Sequence, residues 1–144
     1  MTYNQVIKLF NDWADTHLLI GTYGSGEEWE INGNFKPGII DPLFYTIPVN
    51  SQVLENTVNR TFKVICFGRV KKDKSNEREV ISDTEQICQD FIKFIRYNDA
   101  DFNLVGEPQF TPFTEEFGDW CAGWEGDIII ETEFDNNECD KPSV

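Results

Sequence analysis

The residues with chemical potential are few: one histidine, His17, four scattered cysteines, Cys66, Cys88, Cys121 and Cys139, and two pairs of adjacent glutamates, Glu27-Glu28 and Glu115-Glu116. A nucleophile–base relay needs an imidazole beside a hydroxyl or thiol. The single imidazole falls where a helix is expected to end, a position that favours His through the helix dipole. Glycoside hydrolysis needs two carboxyls across a cleft, whereas neighbouring strand residues point to opposite faces, so solvated surface acid accounts for both glutamate pairs. Without a C-x-x-C pair or a second histidine, the spacing does not fit zinc. Cys66 and Cys88 fall in apolar patterns where a reduced thiol serves as a small core residue. The run Gly24-Ser25-Gly26 and the glycines at 33 and 38 match neither phosphate-binding fingerprint, and Asp135, Glu138 and Asp140 lack the spacing of an EF-hand. The expectation is a chain that is not an enzyme and binds no cofactor or metal.

Two other groups of residues suit contact with protein. Arg69, Lys71, Lys72, Lys74 and Arg78 concentrate positive charge in a chain whose net charge is −14. Copies arranged head to tail would present that loop to a neighbour's acidic face; a plain solvated loop is the alternative. The loop Asn34, Phe35, Lys36 and Pro37 completes the candidate subunit interface. Trp120, Trp124, Phe113 and Phe117 cluster in sequence near Gly118, Gly123 and Gly126, which fits either a core corner or an interface hot spot.

The elements that would carry these residues can be read from periodicity. Tyr3, Val6, Ile7, Phe10, Trp13 and Ala14 recur at helical intervals, predicting an amphipathic helix that ends near His17. The glycines of residues 21–26 read as a loop. Alternation over 27–32, with Trp29 and Ile31 opposite Glu28 and Glu30, predicts a strand with one wet face. Residues 43–49 form a second strand. The strand at 61–70 is apolar on both faces, Phe62, Val64 and Cys66 against Ile65 and Phe67, which predicts a central place in the sheet. A polar loop at 71–78 follows. Ser82-Asp83-Thr84-Glu85 has the spacing of a capping box, and Ile87, Cys88, Phe91, Ile92, Phe94 and Ile95 form the apolar stripe of a helix to about Tyr97. Further strands are expected at 102–105 and 127–134. The order, with hairpin-length gaps and no βα alternation, predicts an α+β fold. Its expected form is a mainly antiparallel sheet of four to five strands with an N-terminal helix and one central helix packed on it. A single domain spans 1–134, and 135–144 is an acidic flexible tail.

Composition narrows the partners. A chain of 144 residues is long enough to bury about 68–70% of its unfolded surface. No apolar run approaches the roughly 18 residues that span a bilayer, and residues 1–10 do not resemble a signal peptide. A soluble protein with no membrane partner is expected. An acidic balance disfavours neutralisation of phosphates, so specific nucleic-acid binding is not expected.

The leading helix, the strand at 43–47 after Asp41-Pro42, the long strand at 62–70 with its charged loop, the helix at 84–97, and Gly123-Trp124 ahead of Ile128, Ile129 and Ile130 together resemble the tail-terminator and tail-completion proteins of tailed bacteriophages, including those of crAss-like phages. The resemblance covers nearly the whole chain. It implies a structural virion protein of the neck or tail, made in the host bacterial cytoplasm. Such a protein forms a homo-oligomeric ring of six or twelve subunits between portal or adaptor and tail proteins. Double-stranded DNA passes through the lumen without specific binding, and an acidic lumen would let phosphate slide past. The stretch 21–38 and the tail after Phe134 depart from the family pattern. The rival expectation is an acidic DNA-mimic inhibitor of a nucleic-acid enzyme, a monomer or dimer with carboxylates at phosphate-like spacing on one face.

Overall fold

A computed structural model describes residues 1–26, 40–98, 100–116 and 120–133. The strand expected at 27–32, the candidate interface residues Asn34, Phe35, Lys36 and Pro37, and the tail at 135–144 lie outside the described residues.

Helix α1 (Tyr3–Thr16) leads into strands β1 (Thr22–Ser25), β2 (Leu43–Val53) and β3 (Thr57–Arg69), then helix α2 (Glu77–Arg96), then β4 (Phe102–Val105), β5 (Thr111–Glu116) and β6 (Trp120–Glu133). The fold is α+β, two helices on a mixed, mostly antiparallel six-stranded sheet. The strand order is β1-β2-β3-β6-β4, and β5 pairs with β6 along the same edge as β4. Only β1 and β2 run parallel. Two of these strands, β1 and β5, lie where the sequence reading placed none, and β1 arises where glycines read as a loop. A Cβ at Gly24 would stand 2.8 Å from the Tyr45 ring, so glycine there is what lets β1 close on β2.

A capping box starts α1. Thr2 Oγ1 accepts from the Gln5 amide at 3.2 Å, and Gln5 Oε1 accepts from the Thr2 amide at 2.8 Å, so two otherwise unpaired donors are satisfied reciprocally. The box expected at Ser82-Asp83-Thr84-Glu85 does not start α2. That helix begins at Glu77, with Asn76 before it. The apolar stripe already includes Val80, which packs over Gly68 of β3, and the sheet therefore holds the earlier turn in helical form. Thr84 is buried, and its hydroxyl donates back to the Val80 carbonyl at 2.7 Å. Glu77 and Glu79 in the first turn and Lys93 and Arg96 in the last complement the helix dipole.

Strand β3 lies between β2 and β6 and is buried on both faces, as its double apolar pattern predicts. On the helix side, Phe44, Phe62, Val64, Cys66, Ile128 and Ile130 pack against Val6, Phe10, Ile87, Cys88, Phe91 and Ile95. The opposite face holds Leu43, Tyr45, Ile47, Ile65, Phe67 and Cys121, with Phe113 of β5 packed on them. The aromatic group read as one cluster is therefore divided. Trp124 belongs to the helix side, Phe113 to the other, and Phe117 lies outside the described residues. Alternation sends neighbouring strand residues to opposite faces, and Phe113 pairs with Gly123 rather than with Trp124.

Two outcomes test this packing. A Cβ at Gly123 would stand 1.9 Å from the Cys66 carbonyl oxygen, so Gly123→Ala should destabilise by about 1–3 kcal/mol. That corresponds to a fall in melting temperature of roughly 2–12 °C, measurable by calorimetry. Burial pushes the Cys66 thiol well above its ordinary value, with Cys88 as a hydrogen-bonded neighbour, and Cys66, Cys88 and Cys121 are all buried and reduced. In a Cys139→Ser background these three thiols should stay unreactive to Ellman's reagent at pH 8 and react together only when denaturant unfolds the chain.

Candidate subunit interface

The single histidine is held as a structural tie. It follows the last turn of α1, and the Leu19 amide donates to its Nδ1 at 3.2 Å. The ring proton is thereby placed on Nε2, which lies 2.8 Å from Asp90 Oδ2 on α2. Both ring nitrogens are thus engaged, Nδ1 by the turn that follows α1 and Nε2 by α2. Asp90 also accepts from Gln86 Nε2 at 2.8 Å. The expectation of a helix-end role for His17 holds for its position, while its partner is a carboxylate of the other helix.

The cationic residues occupy the junction between β3 and α2. Arg69 does not belong with the others. It ends β3, and its Nε lies 3.7 Å from Asp41 Oδ2, an oxygen that also accepts from the Arg69 amide at 3.4 Å. Strand alternation turns Arg69 toward the second face, away from the loop that follows. Lys71, Lys72, Lys74 and Arg78 are all exposed.

The loop that carries these cations is tightly built. The Lys74 amide donates to the Lys71 carbonyl at 2.8 Å, and Lys74 itself takes a left-handed backbone conformation with φ of 60°. The Asn76 side chain closes the loop from inside. Its Oδ1 accepts from the Lys71 amide at 2.8 Å and its Nδ2 donates to the Arg69 carbonyl at 3.2 Å. The Ser75 amide donates to Asp73 Oδ1 at 3.0 Å. Hydrogen bonds from Ser75, with Lys71 nearby, hold the Asp73 carboxyl below its ordinary value. What reads as a plain polar loop is thus a hydrogen-bonded turn that holds its backbone in one arrangement.

An aromatic side chain stands beside these cations. Lys74 Nζ lies 5.6 Å from the centre of the Trp120 ring, a cation–π contact. Trp120 is 45% exposed, and its carbonyl accepts from the Val70 amide at 2.8 Å, fixing the start of β6 against the end of β3. Trp124, four residues along, instead turns its indole N–H inward to the Ile81 carbonyl of α2 at 2.9 Å. The two tryptophans therefore divide the roles left open by the sequence. Trp124 is a core anchor, and Trp120 is a surface aromatic with Lys74 over its ring. Sequence reasoning placed Trp120 in the aromatic group and the lysines in the loop without joining them, because the β3–β6 pairing that brings them together spans some fifty residues.

Elsewhere the described surface offers open grooves. The groove at the end of α2, about 520 Å³, is lined by Lys93, Arg96, Tyr97 and Glu107 over Ile92 and Phe110. Among the described residues no group of three or more His, Cys, Asp or Glu side chains could hold a metal ion, and no helix is long and apolar enough to cross a membrane. Glu115 and Glu116 lie in β5, paired with Cys121 and Trp120 of β6. Neither a protein-family model nor a curated protein matches the chain.

Asn76 gives this site its test. Asn76→Ala removes two hydrogen bonds and should cost roughly 1–2 kcal/mol. Hydrogen exchange at the Lys71 amide should accelerate more than at amides of β6.

Proposed function

We propose that this chain is a structural subunit of a bacteriophage neck or tail, acting by packing against copies of itself rather than by turnover. The observation that carries the reading is the rigid cationic turn with the exposed Trp120 beside it, set on a chain of net charge −14. Like-charged copies repel one another over most of their surface, so a fixed positive projection is the place where a second copy is attracted instead of refused. A contact between that turn and a different, acidic surface of the neighbour is heterologous, and heterologous contacts that close generate rings. The aromatic supplies desolvated contact area, while the lysines set register and orientation. A ring of six or twelve such subunits, seated between portal or adaptor and tail proteins, would surround a channel for double-stranded DNA. Its acidic lining would keep the duplex from sticking.

Light scattering coupled to size-exclusion chromatography tests this reading. The expected result is an oligomer whose mass falls with rising salt. Combined Lys71→Glu, Lys72→Glu and Lys74→Glu substitutions should return it to monomer while costing no more than about 2 kcal/mol of stability, part of it the Lys74–Trp120 contact. A chain that stays monomeric at high concentration with purified neck and tail proteins present would overturn the reading, and the acidic DNA mimic would then take its place.

A further inference from the structure

Cations are scarce on this chain, and several of those in the described residues are already committed. Lys8 lies 2.6 Å from Asp12, Lys63 3.3 Å from Glu125 and Arg69 3.7 Å from Asp41, while Arg60 donates to Thr132 Oγ1 at 2.9 Å. The others fall in two groups at opposite ends of α2. Lys71, Lys72, Lys74 and Arg78 belong to the turn at its start, and Lys93 and Arg96 to its last turn. The length of the helix sets the groups roughly 20–30 Å apart. Lys93 and Arg96 are both exposed, and among the described residues neither is paired with a carboxylate.

This second group borders the groove at the end of α2. Ile92, Pro108 and Phe110 line it and are half-buried, and Ile92 and Phe110 also pack on the helix-side core. The apolar floor is therefore held by the same contacts that seat the helix on the sheet. Lys93 and Arg96 form the rim on the helix side, three residues apart and so neighbours on one helix face. Glu107, also exposed, stands on the opposite rim, which the connection from β4 to β5 supplies. The two rims thus carry opposite charge across an apolar floor.

Charge and spacing together define an occupant. Cβ atoms three apart on a helix lie about 5–6 Å from each other, and alternate side chains of an extended peptide leave one side about 6–7 Å apart. Two carboxylates at alternate positions therefore meet Lys93 and Arg96 at once, the guanidinium taking its carboxylate through two parallel hydrogen bonds. The residue between them points the other way, toward Pro108, Phe110 and Glu107. An apolar side chain buries area there, whereas a third carboxylate would face Glu107 and be refused. We propose that this groove docks an extended segment of a partner protein with an acidic–apolar–acidic pattern, its central residue aromatic or large aliphatic. The helix end adds about half a negative charge and Glu107 one more against the two cations, so the attraction is modest. The isolated segment binds with a dissociation constant on the order of 1 mM. The chain has the same pattern in its own sequence, at Glu28-Trp29-Glu30 and Glu133-Phe134-Asp135, but two bodies of net charge −14 repel one another, which favours a partner that is not itself acidic.

An NMR titration of the isotope-labelled full-length chain with the peptide acetyl-Gly-Asp-Phe-Asp-Gly-amide reads the site. Amides of Ile92, Lys93, Arg96 and Phe110 should shift and saturate, while those of the cationic turn should not. Replacing both Asp of the peptide by Asn, its Phe by Ala, or its Phe by Asp should each weaken binding by about fivefold or more. Combined Lys93→Gln and Arg96→Gln substitutions should weaken it as much. The triple lysine-to-glutamate variant should bind as the parent does, so this site and the ring contact are read separately. Because lost binding would also follow from a frayed helix end, Glu107→Gln supplies a gain: it should bring the all-Asp peptide to within about twofold of the Asp-Phe-Asp peptide. Saturation at the turn rather than the groove, equal binding of the Asn peptide, or no saturation at about tenfold above the expected constant would overturn the proposal. So would groove amides that shift with chain concentration alone, which would assign the groove to a second copy.

Discussion

The architecture depends on one aromatic side chain reaching across three elements. Phe91 of α2 meets Phe10 of α1 edge to face at 5.1 Å, Phe44 of β2 at 4.9 Å, and Trp13 of α1 at 5.1 Å. Phe10 in turn meets Phe62 of β3 at 5.3 Å. These rings offer large apolar area with a preference for tilted contact, so they fix the angle at which both helices lie on the sheet as well as holding them there. The His17–Asp90 pair then joins the helices at the margin of the same cluster, and the indole of Trp124 ties α2 to β6.

With both helices committed to one face, the direction of the chain as it leaves β3 is settled. Arg69 turns to Asp41 on the far side, Val70 is buried, and the backbone must reverse at once to place Val80 over Gly68. Residues 71–76 make that reversal through the bonds of Asn76 and Asp73. Its lysines have nowhere to point but outward. The cationic projection is therefore a consequence of where the helix must land, and its rigidity follows from the shortness of the connection.

Much of this was legible from residue order. The 3.6-residue spacing from Tyr3 to Ala14, the two-faced pattern of β3 and the alternation ending in Ile128, Ile130 and Thr132 each report a burial pattern that the fold realises. The start of α2 was misplaced because Ser82-Asp83-Thr84-Glu85 has the local chemistry of a cap, whereas the packing of Val80 on Gly68 decides where the helix begins. Conversely, Thr2 and Gln5 form a capping box at a spacing that sequence alone displays. Strand β1 was hidden because its glycine answers to the Tyr45 ring, a neighbour distant in sequence. The candidate site divides in the same way: the lysines stand together in the chain, but Arg69 faces elsewhere and Trp120 joins them only through the β3–β6 ladder. Local rules locate charges, and long-range pairing decides which of them share a surface.

Strand β6 has a further consequence for how the protein is made. It is the partner of β3 along one edge and the described partner of both β4 and β5 along the other, yet it is the last of the described strands to leave the ribosome. Until about residue 133 has emerged, β3 lacks its longest neighbour and β4 and β5 lack their described partner. The nascent chain must therefore wait with Phe62, Phe67 and Phe91 incompletely covered. Long-range pairing of this sort slows folding and leaves an incomplete sheet open to aggregation.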